Sequence, residues 1–98
     1  MPLSNTQKKH LKSLAHKLDP VVLIGQHGIS ENLLTELDIA LSRHELLKVK
    51  LSVGDRELRD AMIAELCTQS QAELVQRIGN IAVLFRRNPE RQKIELPA

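Results

Sequence analysis

Leu11, Leu14, Ala15 and Leu18 recur at the i, i+3, i+4, i+7 spacing of one helical face. Ser4, with Gln7 three residues on, forms a capping box ahead of them. A first helix is therefore predicted up to Asp19-Pro20, because the residue before a proline avoids the helical region. Val21-Val22-Leu23-Ile24 is wholly apolar, the pattern of a central strand covered on both faces. Gly25-Gln26-His27-Gly28 follows directly, and Ser30 is a fitting N-cap for a second helix. That helix carries the stripe Leu33, Leu34, Leu37, Leu41 and runs to about Arg43. From Leu46 to Val53, Leu47, Val49, Leu51 and Val53 alternate with Leu46, Lys48, Lys50 and Ser52, which predicts a strand with one apolar and one mostly polar face. Asp55 caps a third helix, about Arg56 to Gln69, with Leu58, Met62, Ile63, Leu66 and Cys67 inward. Ala72–Ile78 and Ile81–Arg86 are strands joined by Gly79-Asn80, a two-residue hairpin signal.

The predicted order is α-β-α-β-α-β-β. Helices between strands imply crossovers and partly parallel pairing, and the final hairpin adds an antiparallel pair. The expected architecture is α/β, a two-layer sandwich with a mixed four-stranded sheet. The 98 residues suit a single domain, 1–98, with 87–98 a polar, partly ordered tail whose Ile94-Glu95-Leu96 stretch is able to pack.

Charge changes the picture once it is mapped. Residues 1–28 carry four lysines against Asp19, a balance of +3. Residues 29–75 carry five basic and nine acidic side chains, a balance of −4. Residues 76–98 carry five basic and two acidic ones, again +3. If the ends meet in space, the surface is polarised and its positive face suits a polyanion. No apolar run approaches the roughly 20 residues that span a bilayer, and the first residues lack a signal peptide's apolar stretch. Cys67 is the one cysteine, so no internal disulfide can form. These features lead us to expect a cytoplasmic monomer without membrane association.

Few residues offer chemistry. His10, His16, His27 and His44 have no metal-ligand spacing. His44-Glu45-Leu46-Leu47-Lys48 imitates H-E-x-x-H but has lysine where the second histidine is needed. No nucleophile and base converge, so neither an enzyme, a metal nor a cofactor is expected. The strand–Gly-x-x-Gly–helix junction remains. Its glycines permit positive φ and close approach of a ligand, and the following helix offers N–H groups and the positive end of its dipole to a phosphate. Lys8, Lys9, Lys12 and Lys17 make the first helix basic, and Arg86 and Arg87 close the last strand. There is no Trp or Tyr and a single Phe, so a platform of stacked aromatics is ruled out. Expected RNA contacts are Gly25, Gln26, His27 and Gly28, with Lys8, Lys9, Lys12 and Lys17 on one side and Arg86 and Arg87 on the other. The alternative is a protein–protein adaptor docking on a ribosomal protein through the acidic helices of the middle segment.

Several stretches carry a wider likeness: Leu11-Lys12-Ser13-Leu14-Ala15-His16, Pro20 to Ser30, His44-Glu45-Leu46-Leu47-Lys48-Val49-Lys50, Gln76-Arg77-Ile78-Gly79-Asn80 and Val83-Leu84-Phe85-Arg86. In this order they resemble the CRM domain (chloroplast RNA splicing and ribosome maturation), in particular its stand-alone bacterial, YhbY-like members. The resemblance implies a fold like the C-terminal domain of a translation initiation factor. It also implies RNA binding through the Gly-x-x-Gly loop and adjacent basic surface, and association with precursors of the large ribosomal subunit as an assembly factor. Many such proteins carry Lys or Arg between the two glycines. Here Gln26-His27 stands there, which lowers the loop's own charge.

Overall fold

A computed structural model describes residues 2–98. Its elements are α1 (Asn5–Ala15), β1 (Pro20–Ile24), α2 (Glu31–His44), β2 (Leu46–Leu51), α3 (Arg56–Ser70), β3 (Glu73–Ile78) and β4 (Ile81–Phe85). The caps act where the sequence places them. Ser4 and Gln7 complete a reciprocal capping box, Ser30 Oγ accepts the Leu33 amide, and Asp55 accepts that of Glu57. At the hairpin, Gly79 alone has positive φ (57°), the pattern of a type II′ turn with glycine in the first central place.

The sheet order is β1-β2-β4-β3. β1 runs parallel to β2, and β4 is antiparallel to both β2 and β3. The mixed four-stranded α/β sheet is as expected, but the layering differs. Val22 and Ile24 of β1, Leu47, Val49 and Leu51 of β2, and Ala82 and Leu84 of β4 pack against Leu37 and Leu41 of α2 and Ile63 and Leu66 of α3. The alternate positions Leu46, Val75, Val83 and Phe85 form a second core with Leu11 and Ala15 of α1. Helices therefore lie on both faces, and α1 adds a partial third layer that a two-layer sandwich lacks.

Two expectations are corrected as a result. β1 is an edge strand, not a central one. Val21 and Leu23 are 50% and 62% exposed because α1 lies over β2 and β3 and leaves this face of β1 open. α1 also stops at Ala15, short of Leu18, and Leu14 and Leu18 are each 39% exposed instead of buried. The chain must turn there to bring Pro20 beside Lys48 of β2.

The tail wraps around one buried acid. Glu45 is 0% exposed and sits at the end of α2 with φ 60°, a left-handed value unfavourable for a residue with a Cβ. Its carboxylate accepts the amides of Asn88 (2.7 Å), Lys93 (2.7 Å) and Ile94 (3.0 Å), and Arg87 Nη1 lies 3.3 Å away. Burial alone would raise its pKa. The three amides and the Arg87 charge outweigh burial and hold the carboxyl below its ordinary range. Ile94 and Leu96 pack on the second core, and Gln7 Nε2 donates to the Pro97 carbonyl, so the two chain ends meet. Cys67 is partly buried against the first core, and burial, with the Glu73 charge second, pushes its thiol pKa up. Among the described residues, no helix is long and apolar enough to cross a membrane.

Candidate nucleic-acid interface

The Gly25–Gly28 loop leaves the sheet at the end where β1, β2 and the β3–β4 hairpin converge. Ile24 pairs with Leu51, whose amide donates to the Asn80 carbonyl, and the Ser52 amide donates to the Ile24 carbonyl. Within the loop the Gly28 amide donates to the Gly25 carbonyl at 3.2 Å, which closes a four-residue turn and leaves Gln26 and His27 exposed at its tip. Gly28 has φ +79°, and a Cβ there would lie 3.7 Å from Met62 Cε of α3. The fold itself calls for glycine at this position. Gly25 is different: its φ is not positive and a Cβ there would meet nothing within 4 Å. Nothing inside the chain requires a glycine at 25, whereas a ligand approaching the backbone would.

Beyond the loop, Ile29 packs on the core and Ser30 starts α2. Since Ser30 Oγ takes the Leu33 amide, the amides of Glu31 and Asn32 remain for an external acceptor. The Glu31 carboxylate occupies the same positive helix end and offsets part of its pull on an anion.

The cations divide into two groups. Lys9, Lys12 and Lys17 are exposed, Lys8 is partly buried, and none of the four has a carboxylate partner among the described residues. Lys12 and His16 border a groove of about 200 Å³ whose other walls include Lys48, Gln76, Ile78 and Ile81, and no acidic side chain among the described residues lines it. Lys8, Lys12 and His16 follow one another at i, i+4 spacing and so share one flank of the helix and its extension. That flank is the one facing the groove. The sequence marks Lys48 and Lys50 only as part of a mostly polar strand face, whereas the structure sets Lys48 in the groove wall and leaves Lys50 exposed. Their alternation with Val49 and Leu51 was the available signal. Arg59 lies one turn before Met62, the side chain nearest to where a Cβ at Gly28 would stand, and its Nε is buried without a hydrogen-bond partner among the described residues.

Arg86 and Arg87 do not join the loop. They lie at the opposite end of the sheet, where Leu46 pairs with Phe85 and the Arg86 amide donates to the Glu45 carbonyl. The five steps of β2 between Leu46 and Leu51 separate the two ends by roughly 16 Å. The arginines are also engaged. Arg86 Nη1 reaches Asp38 Oδ1 (2.7 Å) and the Ser70 carbonyl (3.0 Å), and Nη2 reaches the Asp38 carbonyl and Ser42 Oγ (both 3.0 Å). Arg87 Nη1 donates to the Ile94 carbonyl (2.7 Å) and to Glu45, with its guanidinium carbon 5.5 Å from the Phe85 ring centroid. The basic ends of the chain meet each other without both meeting the loop.

Known proteins resemble this chain along nearly its whole length. The profile of the CRS1 / YhbY (CRM) domain matches residues 3–86. "Probable RNA-binding protein PA4753" of Pseudomonas aeruginosa is 46% identical over 93 residues, covering 95% of this chain and 89% of the relative. "RNA-binding protein" of Haemophilus influenzae is 46% identical over 95 residues, covering 97% and 95%. The solution structure of the hypothetical protein SAV1595 from Staphylococcus aureus superposes with a TM-score of 0.84 at 38% identity, covering 98% of this chain and all of the other. The relatives are named for RNA binding and not for a reaction. With the profile spanning all seven elements and the fold shared along its length, the chain belongs to the CRS1 / YhbY (CRM) domain family.

Proposed function

We propose that this protein binds RNA, with the Gly25–Gly28 loop as the contact centre and the lysines beside it as the electrostatic footprint. The observation that carries the reading is Gly25, a glycine that the fold does not need, at the entrance to a turn whose tip is exposed. The turn leads straight into the start of α2. The amides of Glu31 and Asn32 take a phosphate oxygen, and Lys12 and its neighbours on α1 neutralise adjoining phosphates. Gln26 and His27 position the strand more than they attract it. Arg86 and Arg87 brace the fold from the far end. The RNA is ribosomal, in a precursor of the large subunit, as the family resemblance implies, and the protein acts there as an assembly factor in the cytoplasm.

Replacing Gln26 and His27 together with Asp sets two negative charges at the loop tip. RNA affinity, read by fluorescence anisotropy, is expected to be lost with an unchanged melting temperature. Unaltered affinity in this variant removes the loop from the interface. The adaptor reading is weaker because Asp38 and Asp60, on α2 and α3, already hold Arg86 and Arg77. Nuclease treatment of the protein recovered from cells separates the two: an adaptor keeps its ribosomal partner after the RNA is digested.

A further inference from the structure

We propose that the open half of the sheet beside the loop seats unpaired nucleotides, so that the preferred ligand is single-stranded RNA. This rests on the RNA-binding reading above and adds a second surface to it. The strand registers place Leu23, Lys50, Ile81 and Ile78 in one row across all four strands, through the pairs Leu23–Lys50, Lys50–Ile81 and Ile81–Ile78. Their neighbours Val22, Val49 and Ala82 face the α2–α3 core, so the row points to the other face, beyond the cover of α1. Leu23 and Ile78, at its two ends, are 62% and 59% exposed. Three inter-strand spacings make the row about 14 Å wide. Two residues after Leu23 the chain reaches Gly25. On the helix side the row borders the groove that Lys12, His16 and Lys48 line without an acid.

An apolar floor with a rim of lysines fits one form of polyanion best. A duplex presents phosphates and 2′-hydroxyls but hides its base faces in the stack, so an aliphatic floor gains little from it. An unpaired nucleotide exposes its base, and covering Leu23, Ile81 and Ile78 with that base removes apolar area from water on both partners. Lys12, Lys48 and Lys50 meanwhile lie within reach of the sugar–phosphate strand. Aliphatic side chains take the part that aromatic ones play elsewhere, in a chain whose single aromatic residue, Phe85, is buried. A lysine among aliphatics also guards an open sheet against aggregation, but that role leaves RNA affinity indifferent to its charge.

The test measures anisotropy of a short labelled oligouridine and of a short RNA duplex over a range of salt. It uses the intact protein, the double variant Lys48→Gln with Lys50→Gln, and the double variant Leu23→Ser with Ile78→Ser. All four positions lie outside the buried cores, and melting curves check folding. The intact protein is expected to favour oligouridine. The lysine variant is expected to weaken oligouridine binding about tenfold and to lower the salt slope by about 1.4, two single-strand phosphates' worth. The aliphatic variant is expected to weaken oligouridine binding severalfold with an unchanged slope and unchanged duplex affinity. Equal affinity of the intact protein for both RNAs, or oligouridine binding unaffected in either variant, overturns the proposal. If these variants bind normally while the Asp substitutions at Gln26 and His27 abolish binding, the loop reading stands and this one falls. If the intact protein binds neither RNA, both fall. Self-association in ultracentrifugation that the aliphatic variant abolishes, with oligouridine affinity intact, assigns the row to a second copy of the chain instead.

Discussion

At the end of the sheet where β4 finishes, Arg86 and Arg87 donate to carboxylates, a hydroxyl and carbonyls of their own chain. Toward the other end, Lys12, Lys48 and Lys50 border a groove and an open row, with no carboxylate among the described residues bound to them. Counted along the chain the two sets are alike, since both are clusters of cations. They differ in whether their hydrogen bonds are already made. A guanidinium held at fixed geometry by several acceptors has little left to offer a ligand, and moving it would strand those acceptors. A lysine without a partner keeps its full attraction for a phosphate. Cations of the first kind stabilise a fold, and those of the second kind are available to recognise a ligand.

The sharpest way to test the contrast is to break the occupied end. Glu45→Gln turns an amide NH2 toward backbone donors and removes the Arg87 counter-charge. It is expected to cost about 3 kcal/mol, seen as a melting temperature lower by well over 10 °C for a chain of this size. RNA affinity at a temperature where the variant is folded should hold. The same residue gives a pH signature. Its folded pKa is depressed, so its contribution is complete above the ordinary glutamate value of about 4.3 and fades as the pH falls through the folded value. Melting temperatures followed from neutral pH into this acid range should fall more steeply for the native protein than for Glu45→Gln, until the two converge.

A smaller effect is expected from Arg86→Ala. Its partner Asp38 is largely exposed, which discounts the ion pair, but the carbonyl and hydroxyl acceptors are lost with it. The expected cost is about 1–2 kcal/mol in a denaturant melt, with RNA affinity changed less than twofold. A loss of affinity as large as that of the lysine variants would erase the distinction between the two ends. The smallest stability effect, with the opposite sign, belongs to Gly25→Ala. Its backbone φ is compatible with alanine, and the variant is expected to gain a few tenths of a kcal/mol by stiffening the unfolded chain. Its RNA affinity should drop because the new Cβ stands where the ligand approaches. Gly28→Ala, by contrast, is expected to lose about 1 kcal/mol from its positive φ.

The amino-acid sequence determined every element of this protein in order, along with its caps, its hairpin turn and the loop between two glycines. Those features depend on stereochemistry within a few residues: Ser4 with Gln7, Ser30 with Leu33, Gly79 at a positive φ. The family likeness was also legible, because it is carried by stretches in sequence. Three matters were settled by tertiary structure. β1 looked central from its apolar run, yet it lies at an edge, because strand order and the placement of α1 are not written within the strand. Glu45 sat inside a failed metal motif and proved to be the buried acid that clasps the tail, through partners more than forty residues away. Arg86 and Arg87 read as a flank of the loop, and Lys48 and Lys50 only as part of a mostly polar strand face. That the arginines lie at the far end with their hydrogen bonds made, while the lysines are without a carboxylate partner among the described residues, depends on how distant segments pack.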